Sequence, residues 1–190
     1  VIDLAVWGMT LASHQSRQLR DPSPYSGGDA DPAWRPGHPN ELVYTHYAYT
    51  DNGAAPFSQL MLVNTTSQQS VALTPATENA FQPAWSPAGD ALVYARRSAD
   101  HDDIAAIQVP DWPDQDLTAA GTLLVSGTLA QPVWSPDGGQ ILYVGESGDA
   151  GFDLYTVDIT TTPTVATKGK PTQITSSQHV DATSRPSWMP

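Results

Sequence analysis

The chain has 190 residues, of which 39% are hydrophobic and 15% charged, with a mean hydropathy of -0.32; that is room for about one domain, and no apolar run of about 18 residues is present to span a bilayer. Six Trp and seven Tyr are recurrent large core pieces that argue against disorder, while 17 Pro and 14 Gly disfavour long helices and favour a turn-rich β protein. Twenty Asp and Glu against eight Lys and Arg give a net charge of -12, which excludes nucleic acid as a partner because phosphate binding needs basic side chains, and the absence of Cys excludes disulfides, thiolate chemistry and cysteine–zinc sites.

Val1-Ile2-Asp3 lacks the charged start of a signal peptide, so any leader is expected to have been removed or to lie upstream. Two short strands are predicted next, Ile2-Asp3-Leu4-Ala5-Val6-Trp7 and Ser16-Arg17-Gln18-Leu19-Arg20. Asp31-Pro32-Ala33-Trp34-Arg35-Pro36 then begins a phrase that returns as Gln82-Pro83-Ala84-Trp85-Ser86-Pro87, as Gln131-Pro132-Val133-Trp134-Ser135-Pro136 and as Arg185-Pro186-Ser187-Trp188-Met189-Pro190. The Trp-to-Trp steps are 51, 49 and 54 residues, a constancy that chance does not supply. After each of the first three copies an apolar strand with a tyrosine is predicted, at 41–44, 91–94 and 141–144, the last two following the turn sequences Ala88-Gly89-Asp90 and Asp137-Gly138-Gly139. A further strand follows at 59–63, 103–107 and 153–157, and a weaker one at 70–74, 121–125 and 171–175.

Four short strands per roughly 50 residues form one blade of a β-propeller. We letter them A to D from the Trp phrase outward. The expected fold is all-β, a β-propeller of four-stranded antiparallel blades, with blades at 29–79, 80–128 and 129–180. Residues 1–28 supply strands C and D of an incomplete blade, and 181–190 supply strand A of another, so three blades are complete and partial ones stand at both ends. Blades must stack to bury their apolar faces, so Trp34, Trp85, Trp134 and Trp188 are expected to fill the spaces between neighbours. A Pro before each Trp suits the start of an edge strand, because Pro cannot donate to a ladder.

The phrase Pro132-Val133-Trp134-Ser135-Pro136-Asp137-Gly138, followed by Ile141-Leu142-Tyr143 and Asp153-Leu154-Tyr155-Thr156-Val157-Asp158, resembles the WD-like repeat of TolB-type β-propellers. The first copy departs, with Arg35-Pro36-Gly37-His38 in place of Ser-Pro-Asp-Gly. A similar repeat occurs in the propellers of prolyl oligopeptidase-like serine peptidases, so the repeat does not fix function. The resemblance implies six or more blades. The chain is then part of a larger ring, or its end pieces join; an open arc would expose apolar blade faces and call for a protein partner or self-association.

No catalytic signature is found. Gly145-Glu146-Ser147-Gly148-Asp149 lacks the last Gly of a nucleophile elbow, and His-Glu-x-x-His, a P-loop and Gly-x-Gly-x-x-Gly are absent. The acids carry the clearest non-structural pattern. D–A and B–C loops share one face, the top, and 12 of the 20 acids map there: Asp21, Asp29, Asp31, Asp51, Glu78, Asp100, Asp102, Asp103, Glu146, Asp149, Asp153 and Asp181. They form either an acidic field for a basic partner or a solvated surface. His101 with Asp102 and Asp103, and Asp149 in the next blade's equivalent loop, are binding candidates. Oxygen ligands of this kind suit calcium, but the spacing of a calcium-binding loop is missing, so no cofactor and no metal ligand is assigned. Asp31, Gln82, Gln131 and Arg185, each before the repeated Pro, should stand at the axial mouth, where propellers hold peptides or small ligands. The expected function is a non-catalytic protein-interaction scaffold in an extracytoplasmic assembly. A carbohydrate- or calcium-dependent binding module, or the propeller part of a peptidase, is the alternative.

Overall fold

A computed structural model describes residues 5–19, 27–48, 57–112, 115–117, 119–148, 151–162 and 164–189. It is an all-β architecture of one hairpin and three larger antiparallel sheets. The hairpin pairs β1 (Trp7–Thr10) with β2 (Gln15–Gln18). The first sheet runs β3 (Gly27–Trp34), β4 (Glu41–Ala48), β5 (Phe57–Asn64) and β6 (Ser70–Ala72) in spatial order. The second runs β7 (Ala80–Trp85), β8 (Ala91–Arg97), β9 (Asp102–Gln108) and β10 (Thr122–Val125). The third holds β11 (Leu129–Trp134), β12 (Gln140–Ser147) and β13 (Gly151–Thr160), with β14 (Ala166–Thr167) and β15 (Thr172–Gln173) both pairing β13.

The near-continuous apolar runs of β4 and β8 follow from their position. Each lies in the middle of a sheet packed on both faces, so both sets of alternating side chains are buried and the period-two pattern is lost. Leu42 and Tyr44 pack with Val6 and Leu19 of the hairpin, while Val43 faces the second sheet. Leu92 and Tyr94 turn to the first sheet, and Ala91 and Val93 turn to the third.

Several expectations are corrected. The repeated Pro lies inside strand A, not at its start: Pro32, Pro83 and Pro132 sit within β3, β7 and β11, where the register against strand B shifts between Ala30 and Ala33, Phe81 and Ala84, and Ala130 and Val133. A bulge leaves an unpaired residue, and a residue without an N–H fits there. The residue before each Pro, Asp31, Gln82 and Gln131, takes a left-handed φ of 51°, 54° and 54°. Of the first predicted strand, residues 2–4 lie outside the described residues, Ala5 and Val6 are in no strand, and a strand runs over Trp7–Thr10. The last D strand is split around Lys168 to Pro171. Residues 181–189 form no strand.

The tryptophans divide into two groups. Trp85 and Trp134 are buried, and each indole Nε1 donates to a strand A carbonyl of the preceding sheet, Ala33 O and Ala84 O, both at 3.1 Å. Trp34, by contrast, is 52% exposed and fills no inter-sheet space. The hairpin packs on strands B and C of the first sheet, through Leu42, Tyr44, Met61 and Val63. Trp188 is half-buried, with Nε1 shielded but without a hydrogen-bond partner among the described residues.

Candidate functional site

The four residues preceding the repeated Pro are brought together. Asp31 Oδ2 accepts from Thr45 Oγ1 at 3.3 Å, and Thr45 Oγ1 in turn accepts from the Gln82 amide at 3.3 Å. Gln82 Oε1 accepts from the Gln131 amide at 2.9 Å, and Gln131 Oε1 accepts from Arg185 Nε at 3.4 Å. The left-handed bulge explains this line. It turns the Gln82 and Gln131 N–H groups away from their own ladders, and a side chain of the preceding sheet accepts each one. Gln131 Nε2 also donates to Thr183 O at 3.2 Å, which holds residues 181–189 against the third sheet without a ladder. Burial lowers the Arg185 pKa, and the Asp31 carboxylate acts against it from the other end of the line. The sequence found these four positions by the repeat, but not the bonds that join them.

The acidic hairpin candidates have mostly structural partners. Asp102 forms a two-pronged pair with Arg97, at 3.0 and 3.3 Å. Asp103 is buried and accepts from Ser98 Oγ at 2.8 Å, with Arg96 Nε at 3.6 Å. His101 lies between Asp100 (Nδ1 to Oδ1, 2.6 Å) and Asp103 (Nε2 to Oδ1, 3.0 Å), and Nε2 also meets Ser126 Oγ at 3.2 Å. The bond to Asp100, with Asp103 assisting, raises the His101 pKa. Ser126 Oγ, His101 and Asp100 thus stand in the order of a nucleophilic triad, with the Asp103 carboxylate also 3.0 Å from Nε2. Asp21, Asp51 and Asp149 lie outside the described residues. Asp29, Glu78, Asp103 and Asp153 of the expected acidic face are buried, so the field comes from fewer carboxylates than the sequence count gave. No cluster of three or more His, Asp or Glu side chains able to hold a metal occurs among the described residues.

Asp153 shows why one loop acid is buried. Its carboxylate accepts from Thr175 Oγ1 at 2.8 Å, the Ser177 amide at 3.0 Å and the Gln178 amide at 3.2 Å, and so fastens the end of the third sheet. Burial pushes its pKa up, but the Thr175 hydroxyl and the Gln178 and Ser177 amides push it down further, to a net value below the usual carboxylate range. Its contribution to stability is therefore present above the unfolded pKa, about 3.9, and is lost as the pH falls through the lower folded value. Asp153→Asn should lower the urea midpoint at pH 7 and flatten its fall below about pH 4; parallel acid limbs for the two proteins would refute this role.

Two of the clefts among the described residues border the second and third sheets. One, of about 430 Å³, lies on the outer side of the second sheet between Gln108, Asp116 and Thr164. The larger, of about 590 Å³, opens at the top between the second and third sheets, bordered by Ser126, Gly127, Tyr143, Gly145, Glu146 and Tyr155. Tyr143 and Tyr155 are stacked there with centroids 5.7 Å apart. This cleft is not legible in the sequence, because glycines border it and its tyrosines read as core.

Sequence comparison matches no family model and no curated relative. Solved structures do match. TolB from Acinetobacter baumannii superposes with a TM-score of 0.63 at 14% identity, over 90% of this chain and 37% of that one. The β-propeller domain of the Trilobed protease from Pyrococcus furiosus gives 0.57 at 13%, over 80% and 44%. A Mycobacterium tuberculosis puromycin-hydrolyzing peptidase gives 0.58 at 16%, over 85% and 26%. The chain thus spans less than half the length of each. At these identities the likeness carries the fold, a TolB-like β-propeller arrangement, and no helix in the described residues is long and apolar enough to cross a membrane.

Proposed function

We propose that this chain is a non-catalytic, TolB-like propeller segment that works as a protein-interaction scaffold in an extracytoplasmic assembly. The supporting observation is the line from Asp31 through Gln82 and Gln131 to Arg185, which ties successive sheets into one rigid inner edge. A rigid frame of this kind presents the top-face loops without an ordering cost on binding. The likeness to TolB supports the extracytoplasmic placement, and the net charge of -12 selects basic partners. The exposed Asp100, Glu146 and Asp181 carry the top-face field.

The reading is tested with the full chain and peptides of matched length and opposite charge. Basic peptides should bind and acidic ones should not, with the affinity falling about tenfold or more between low and high salt, as unburied charges are screened. Affinity independent of salt would remove the electrostatic mechanism. A second reading is the propeller portion of a peptidase, favoured by the likeness to two peptidase structures. A longer natural chain carrying a Gly-x-Ser-x-Gly elbow and peptide hydrolysis would support it.

A further inference from the structure

The seam between the first and second sheets and the seam between the second and third share one register, and one of their differences leaves an opening. In β8, Tyr94 stands opposite Ala105 and Arg96 opposite Asp103. The same positions in β12 are Tyr143, opposite Tyr155, and Gly145, opposite Asp153. On strand A, Ala80 pairs with Arg96 and Leu129 pairs with Gly145, so Glu78 corresponds to Gly127, each two residues earlier. On the outer strand, Gly121 corresponds to Pro171, each one residue before the Thr that pairs with strand C.

At the first seam this place is filled. The buried Glu78 accepts from Tyr94 Oη at 2.8 Å and from the Gly121 amide at 3.0 Å. Arg96 Nη1 lies 3.4 Å from Glu78 Oε1 and 3.5 Å from Gly121 O. Burial, with the Glu78 charge and hydrogen bond, drives the Tyr94 pKa upward. At the second seam both members of the ion pair are replaced by glycine, and the cleft of about 590 Å³ opens there, lined by Gly127, Gly145, Tyr143, Tyr155, Glu146 and Pro171. A side chain at Gly145 would press on Tyr155 Cδ2, at 3.0 Å, and on Leu129 Cδ2, at 3.2 Å, so the glycine also gives the Tyr155 ring its place.

We propose that this cleft receives an arginine side chain from a protein partner, a guanidinium supplied in trans where Arg96 supplies one in cis. The half-buried Tyr155 offers a ring to stack on, Pro171 stands where Gly121 gives its carbonyl to Arg96, and the exposed Glu146 on the lip supplies the counter-charge. Guanidinium is favoured over ammonium because it is planar and more weakly hydrated. The protein itself stacks guanidinium on aromatic rings, with Arg35 5.0 Å from the Trp85 centroid and Arg97 5.4 Å from that of Phe81. The inference rests on the top face being a protein-binding surface, and it names the chemistry of what binds there.

The test is an amide NMR titration of the full chain with N-acetyl-arginine N-methylamide, run beside the lysine and citrulline analogues. Saturable shifts are expected at Gly127, Gly145 and Glu146 with the arginine compound, and much smaller ones with the other two. Glu146→Gln should weaken the apparent affinity by about two- to fivefold, as for an exposed charge pair. Gly145→Arg should abolish the response by filling the cleft in cis. Equal shifts with citrulline, or an unchanged affinity in Glu146→Gln, would overturn the assignment even if Gly145→Arg did not fold. Shifts confined to residues 98–103, equal for arginine and lysine, would overturn the cleft while leaving the acidic-face reading intact. Silence in both regions would overturn both.

Discussion

Trp134→Ala is expected to destabilise the protein by about 3–5 kcal/mol, the range for removing a large buried aromatic side chain, whereas Trp34→Ala is expected to cost less than about 1 kcal/mol. The two residues hold the same place in the repeated phrase, so local sequence and strand propensity are matched between them. Trp134 is 7% exposed, closes the core between the second and third sheets and bonds Ala84 O through Nε1. Trp34 is half exposed and belongs to no buried cluster. Removing Trp134 leaves a cavity that two facing sheets cannot close, and it leaves a strand A carbonyl without its donor. Urea denaturation of both variants gives the comparison directly. Equal losses would mean that the phrase stabilises each sheet from within, and that the seams do not depend on tryptophan.

The same contrast marks how far the fold was legible. The spacing of the Trp phrase, the aliphatic–Tyr strands and the turn glycines placed three sheets in sequence, because each is a local signal repeated at a fixed period. What the period did not carry is the pairing across seams. It predicted four equivalent tryptophans, yet burial depends on the neighbour, and among the described residues Trp34 joins no buried cluster. Pro32, Pro83 and Pro132 suggested strand starts because Pro donates no hydrogen bond; the bulge that satisfies the same requirement in mid-strand is visible only in the register. The axial residues were legible as positions, since each precedes the repeated Pro, but their hydrogen-bonded line needed the left-handed backbone at Gln82 and Gln131. The acids misled most. Asp103 and Asp153 lie near the start of strand C and read as solvated loop residues, yet each turns inward to bind hydroxyl or amide donors of neighbouring loops. In the cleft the informative residues are glycines, whose meaning lies in the Arg96 and Glu78 they replace.

Arg35→Ala is expected to destabilise by about 3–5 kcal/mol, as removal of one member of a buried ion pair does. This is the position where the first phrase departs from the others. In the later copies Ser86 Oγ bonds Asp90 and Ser135 Oγ bonds Asp137, closing a local turn. In the first copy the arginine crosses the seam. Arg35 Nη1 pairs with Glu41 Oε2 at 2.9 Å, Nε donates to Gly89 O at 2.7 Å, and Nη2 donates to Val109 O and Pro110 O, both at 3.1 Å. Its removal strands the Glu41 carboxylate in a buried site and leaves carbonyls of the second sheet without their donor. A buried pair, however, is itself costly to desolvate, so the loss measured in Arg35→Ala belongs largely to the carboxylate left behind. The double variant Arg35→Met with Glu41→Leu should therefore recover more than about 1 kcal/mol relative to the single changes summed. Additive losses in that cycle would mean that the carbonyl bonds to Gly89, Val109 and Pro110, and not the pairing with Glu41, are what joins the first two sheets at this end.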